Sequence, residues 1–181
     1  MRKEENILEL FMDEPTRHWQ FEEILKAAKI SRPQASNWLK KLVQEKIILR
    51  IKPKGKMPYY IGNYEHPNYQ NKKKLFALSQ LDKTGFLNHL AGLQKTKTII
   101  IFGSFSRWDW YKDSDIDLFI YGTPEGFDSL QFRKLLHRDI QTFICKDKKE
   151  IKELSPALLK NILEGHLIKG TLDFIKVSVD V

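Results

Sequence analysis

Two aspartates separated by one residue, Asp115 and Asp117, stand in "DSDIDLFIYG", where apolar residues alternate with them. Alternation of period two sends both carboxylates to one face of a strand and Ile116 and Leu118 to the other. At a rise of about 3.3 Å per residue, the two groups stand about 6.6 Å apart along the strand. Facing carboxylates repel and one pKa rises; a divalent cation removes the conflict, so the spacing points to chelation of Mg2+ or Mn2+. Upstream, "KTIIIFGS" runs into a turn at Gly103, whose lack of a side chain permits close backbone approach. Ser104 offers an N–H and a hydroxyl there, and Arg107 can meet phosphate oxygens. Metal and phosphate chemistry would lie side by side.

The elements that must position these groups are two short strands, one a buried apolar run ending at the Gly-Ser turn and one carrying the aspartates. The single cysteine, Cys145, lies in the apolar run "IQTFIC" and reads as a small core residue. One cysteine excludes a disulfide within the chain and any cysteine-rich zinc site. His18, His66, His89, His137 and His166 show no ligand-like spacing, so none is assigned to a metal.

At 181 residues the chain can form one ample core or two small domains, and the charge favours two. Residues 1–62 hold 13 basic and 8 acidic residues, residues 63–97 hold 6 and 2, and residues 98–181 hold 12 and 13. The front of the chain is where a polyanion would bind. No apolar run approaches the roughly 20 residues that cross a bilayer, and "MRKEENILEL" lacks the apolar core of a signal peptide, so the expectation is a cytoplasmic protein without a membrane partner.

"KEENILELFM" places Ile7, Leu8, Leu10 and Phe11 at helical spacing, and Pro15 follows its end. "FEEILKAAKI" repeats the pattern with Phe21, Ile24, Leu25 and Ala28. A third helix begins near Arg32, with Ser31 as N-cap, Pro33 in the first turn and Ala35, Trp38, Leu39 and Leu42 inward. "IILRIKPKGKMPYYIGN" then reads as a hairpin with a basic tip. Three helices followed by a basic hairpin resemble the winged helix-turn-helix domain. That resemblance implies DNA as a partner, with Arg32, Gln34, Ser36, Asn37 and Lys40 at base edges and Lys41 on phosphate. Lys52, Lys54 and Lys56 would form the wing tip. The alternative is a protein-binding module whose lysines keep a face solvated.

After Pro67, Leu75, Leu78, Leu81, Phe86, Leu87, Leu90 and Leu93 can build one or two helices, with a break near Gly85. "NKKK" reads as a solvated hinge. The segment either packs on both neighbours or serves as a dimerisation helix, giving a homodimer.

"GSFSRWDWYKDSDIDL" resembles the DNA polymerase β-like nucleotidyltransferases, particularly the minimal nucleotidyltransferases of prokaryotes. Gly103 and Ser104 are followed by ten residues, 105–114, and then by Asp115 and Asp117 between apolar residues. Arg107, Asp109 and the Asp-Ser before the pair also match, and "SPALLKNILEGHLIKG" looks like the family's closing helix and following strand. The resemblance covers about residues 98–170. It implies a nucleoside triphosphate, with ATP the expected one, held by Gly103, Ser104 and Arg107, and Mg2+ or Mn2+ held by Asp115 and Asp117. The family takes a third carboxylate from a later strand. In "HRDIQTFICK" the aligned position is Gln141, and Asp139 lies two residues earlier on the same face as a substitute. Trp108 occupies a position where the family commonly has glycine.

The expectation is an α+β protein: a winged helix-turn-helix domain over residues 1–62, a helical connector over 63–96, and a nucleotidyltransferase domain with a small mixed sheet over 97–181. Its activity would be transfer of a nucleoside monophosphate to a hydroxyl, with Asp115, Asp117 and Asp139 as the catalytic acids. The acceptor could be a protein such as a toxin, because minimal nucleotidyltransferases are similar to antitoxins that modify one. The alternative is a DNA-binding regulator whose second domain binds nucleotide without turnover.

Overall fold

The computed structural model describes residues 3–174. The last seven residues expected in the C-terminal domain, 175–181, lie outside them. The chain divides between Phe76 and Ala77 into two compact units, and the α+β class holds in the described residues.

In the first unit, helix α1 (Lys3–Asp13) buries Ile7, Leu8, Phe11 and Met12. Helix α2 (Phe21–Ala28) turns Ile24 and Ala28 inward, while Phe21 and Leu25 are half-buried. Lys29 in the left-handed conformation ends it. Helix α3 (Arg32–Gln44) follows the short "KIS" connection and opens with a capping box of Ser31 and Gln34, in which the Ser31 N–H donates to Gln34 Oε1 at 3.3 Å. Ala35, Leu39 and Leu42 form its buried face. Trp38, expected beside them, is half-buried, because at that turn the indole covers the flank of the helix, where the Lys41 ammonium lies 4.9 Å from its ring centroid.

The expected hairpin is present as β2 (Ile48–Ile51) and β3 (Tyr59–Gly62), paired antiparallel with Arg50 opposite Tyr60. A two-residue strand that the sequence did not announce, β1 (Trp19–Gln20), adds to β3, giving the order β1-β3-β2. Trp19 is buried in it, with the Arg17 guanidinium 3.8 Å above its ring. Two residues are too few to show a periodicity, so β1 is readable only through its partner strand.

Helix α4 (Pro67–Lys83) carries the chain from the first unit into the second. Within the first unit, Tyr69 is buried and its hydroxyl donates to the Phe11 carbonyl at 2.7 Å. The lysine run expected as a solvated hinge is instead mid-helix. Lys73 is 2% exposed and its ammonium lies 5.8 Å from the Tyr69 ring centroid, since at 100° per residue the middle of three consecutive lysines can face inward while its neighbours do not.

The second unit begins with the end of α4, which is followed by Gly85 in the left-handed conformation and by α5 (Phe86–Gly92). Its sheet consists of β4 (Thr96–Phe102), β5 (Ile116–Gly122), β6 (Ile140–Cys145) and β7 (His166–Lys169) in the order β6-β5-β4-β7. β4 runs antiparallel to both neighbours, whereas β5 and β6 are parallel, so the sheet is mixed as expected. Helix α6 (Ser104–Arg107) lies between β4 and β5, and α7 (Ser129–Leu136) makes the parallel crossover. Helices α8 (Lys148–Glu153) and α9 (Pro156–Leu163) lead to β7, which matches the expected closing helix and strand.

Period two is visible in the core. Ile100, Phe102, Phe119, Tyr121 and Cys145 share one cluster with Ile151 and Ile162 from the last two helices. Ile116, Leu118 and Ile120 alternate with them and are fully buried. Each such side chain contributes about 1.5–3 kcal/mol by leaving water. Cys145 is buried and free, as its apolar run implied.

Candidate functional site

Asp117 belongs to the row Asp117, Phe119, Tyr121, so the strand that fills the core also aims a carboxylate at the end of the same face. Across the β4–β5 ladder it opposes Phe102, and the turn that follows Phe102 passes over it. Gly103 there has φ 70° and ψ −148°, a region essentially reserved for glycine. A Cβ on Gly103 would run into the Asp117 carboxylate. Glycine is required twice at this position, by its backbone angles and by the acid beneath it.

Ser104 starts α6 and Arg107 ends it. The Gly103 carbonyl accepts the Arg107 N–H at 3.2 Å and the Ser106 hydroxyl at 2.9 Å, which closes the turn. Arg107 is exposed and pairs with Asp109 at 3.3 Å. Trp108 then adopts φ 64°, the left-handed cap that glycine takes most easily, and its ring meets His166 edge-on with centroids 6.3 Å apart.

The aspartates differ in setting. Asp115, expected within the strand, precedes its first residue, Ile116, and is exposed, whereas Asp117 is half-buried. Burial first, and then the charge of Asp115, push the Asp117 carboxyl above its usual pKa of 3.8, while Arg107 pulls it back. Asp115 thus adds to the Asp117 shift, second to burial.

The later strand brings Gln141 into direct register with Asp117 and places Ile140 beside Ile116. Asp139 lies just before β6, not in it, and its carbonyl accepts the Ile116 N–H at 2.9 Å. Its carboxylate pairs with the Arg133 guanidinium at 2.5 Å. Asp115 and Asp139 line one open cavity of about 600 Å³ together with Asp113, Leu130, Arg133, Lys134, His137 and Arg138.

No group of three or more His, Cys, Asp or Glu side chains is placed to hold a metal ion among the described residues. The pair Asp115 and Asp117 nonetheless suits Mg2+, which proteins commonly hold through one or two carboxylates, with water and substrate phosphates completing the shell. The raised pKa of Asp117 marks a charge that a cation beside it would relieve.

In the first unit, Arg32, Asn37 and Lys40 are exposed on α3, and Ser36 is half-buried. Lys54 is exposed in the turn between β2 and β3. Several of these groups are engaged inside the chain. Arg32 pairs with Glu22 at 2.6 Å, Gln34 serves the helix cap, and Lys41 lies 3.7 Å from both Glu4 and Glu45.

Sequence reasoning missed Arg133 and Arg138. Their only signal was proximity to Asp139 in "RKLLHRD": Arg133 pairs with Asp139 itself, and Arg138 donates to the carbonyls of Tyr111, Lys112 and Ser114, which are distant in sequence.

No curated protein and no solved structure matches the chain. Residues 87–172 match the family model described as Polymerase beta, Nucleotidyltransferase, and this span, which contains the Gly103 turn, both aspartates and Asp139, is thereby supported as a nucleotidyltransferase domain.

Proposed function

We propose that the chain transfers a nucleoside monophosphate from a nucleoside triphosphate, ATP being the expected donor, to a hydroxyl acceptor. The observation that carries this reading is the seating of Asp117 directly under the Gly103 turn, where burial and then Asp115 raise its pKa and Arg107 lowers it. Ser104 and Arg107 would bind phosphate oxygens, and Asp115 and Asp117 would hold Mg2+ or Mn2+. When bound, the ion supplies neutralising charge for the phosphates and for departing pyrophosphate. In that transfer the acceptor oxygen would bond to the α-phosphorus as its bond to the bridging α,β-oxygen breaks and pyrophosphate leaves, and Asp139, which pairs with Arg133, would take the hydroxyl proton. A protein side chain, such as that of a toxin, is one acceptor compatible with this reading.

The first unit supports a DNA-binding role on this reading. Its order α1, β1, α2, α3, β2, β3 and its β1-β3-β2 sheet suit a winged helix-turn-helix domain, with Asn37, Lys40 and the Lys54 turn facing the duplex. A second reading, a DNA-binding regulator that senses nucleotide without turnover, is favoured by Gln141 beside Asp117 and by the Arg133–Asp139 pair, since an amide takes no proton.

Labelled ATP, Mg2+ and candidate protein acceptors decide between them. Pyrophosphate release that disappears in Asp115→Ala and Asp117→Ala supports transfer. ATP binding without release supports sensing, and absence of both defeats the two readings together.

A further inference from the structure

The carboxylate Asp115 is exposed and sits outside the strand, so its own ladder does not fix it. What precedes it is a turn, residues 111–114, in which the Tyr111 N–H donates to the Ser114 hydroxyl at 2.8 Å and the Ser114 N–H donates to the Tyr111 carbonyl at 3.0 Å. Arg138, which comes from the far side of the crossover, closes this turn. Its Nη1 donates to the carbonyls of Tyr111, Lys112 and Ser114 at 2.6, 2.7 and 3.1 Å. Its guanidinium carbon also lies 4.7 Å from the Trp110 ring centroid and 5.2 Å from that of Phe105. Those two rings are themselves stacked, 5.2 Å apart and 14° from parallel. Phe105 is in α6, between Ser104 and Arg107.

We infer that Arg138 is a positioning residue that locks the backbone leading into Asp115 to the helix that carries Ser104 and Arg107. One guanidinium nitrogen, Nη1, reaches three carbonyls while the flat group lies against two aromatic rings; a lysine ammonium, a point charge on a flexible stem, loses the planar packing on those rings that holds the donor in place. The residue next to Arg138 reinforces the link, since the Asp139 carbonyl holds the Ile116 N–H on the other side of Asp115. Asp115 is thus gripped at residues 111–114 and at 116, both from the stretch 138–139. A metal ligand oriented in this way keeps its geometry before the ion arrives.

The inference rests on the reading of Asp115 and Asp117 as ion ligands, and the test separates the two. Mn2+ binding to the full chain is titrated for wild type, Arg138→Lys, Lys152→Gln and Asp117→Asn, with circular dichroism confirming that each is folded. Amide exchange is followed at residues 111–116. Loss of a partner bonded to a ligand side chain weakens metal affinity by about 10–100-fold; Arg138 acts one step further out, on the backbone before Asp115, so Arg138→Lys is expected to bind Mn2+ about tenfold more weakly, the low end of that range, and to exchange faster at 111–116. Lys152→Gln, which removes a charge from the exposed face of α8 outside that cavity, is expected to match wild type. If Arg138→Lys is folded and matches wild type in affinity, positioning by Arg138 is overturned while the ion site stands. If wild type and Asp117→Asn bind Mn2+ equally, the ion site itself is overturned and this inference goes with it. If Arg138→Lys does not fold, Arg138→Gln is measured in its place against the same two outcomes.

Discussion

Asp117 and Gln141 are direct partners in the parallel β5–β6 ladder, so the neighbour of the half-buried carboxylate is a neutral amide. This pairing leaves Asp117 without a carboxylate partner from β6.

Replacing that amide by an acid tests the arrangement. In Gln141→Asp a further carboxylate stands beside Asp117, and without divalent ions the melting temperature is predicted to fall. Addition of Mg2+ is predicted to raise it by more than in wild type, because a ligand that binds only the folded state stabilises in proportion to its affinity. Melting curves with EDTA and with Mg2+ give the answer; a variant no more responsive to Mg2+ than wild type contradicts it.

The Gly103 turn has little freedom to change. Gly103→Ala is predicted to destabilise the second unit by about 1–3 kcal/mol, the range for a residue forced into a glycine-only conformation. It should also abolish triphosphate binding, since the added methyl displaces the Asp117 carboxylate. Urea denaturation and calorimetry with ATP and Mg2+ measure the two effects, and retention of wild-type ATP affinity would falsify the second.

The pH dependence follows from the sign of the Asp117 shift. Its folded pKa lies above 3.8 because of burial, then Asp115. Across the window between 3.8 and the raised value, the folded chain therefore binds more protons than the unfolded chain. Stability attributable to this group falls as pH rises through that window, in the absence of a cation. Asp117→Asn is predicted to be more stable than wild type at neutral pH in EDTA, with the difference vanishing as pH drops below 3.8. Denaturation midpoints over a pH series check it, and an advantage that grows toward acid pH would reverse the assignment.

For the proposed DNA contact, two adjacent lysines should behave differently. Lys40 is exposed, whereas Lys41 is already close to Glu4 and Glu45. Lys40→Ala is predicted to reduce the slope of log affinity against log salt by about 0.9, the value for one phosphate contact. Lys41→Ala should change it less. Fluorescence anisotropy over a salt series measures both, and equal slopes in all three proteins would remove α3 from the duplex.

The sequence was legible wherever chemistry and period coincided. Asp117, Phe119 and Tyr121 share a face because alternation is a property of any strand, and Gly103 was marked by its spacing from the acids. The hairpin and the capped start of α3 were readable from turn and cap residues within a few positions. What was not legible depended on distant partners. Arg138 reaches the 111–114 turn across a crossover, Lys73 looked solvated among lysines although one helix face buries it, and Trp38 fitted a helical stripe but ended at its margin. Gln141 was placed opposite the acids by alignment, but the Arg133 grip on Asp139 needed the folded chain to be seen.

Trp108 ends α6 in a left-handed conformation that costs a bulky residue roughly 1–2 kcal/mol. Its indole recovers part of that against His166 on the sheet's outer strand. A side chain braced in this way makes the exit from the arginine a stiff joint, whereas glycine would make it a loose one. Ease of bending and steadiness of Arg107 are thus opposed at a single residue, and this chain has taken steadiness.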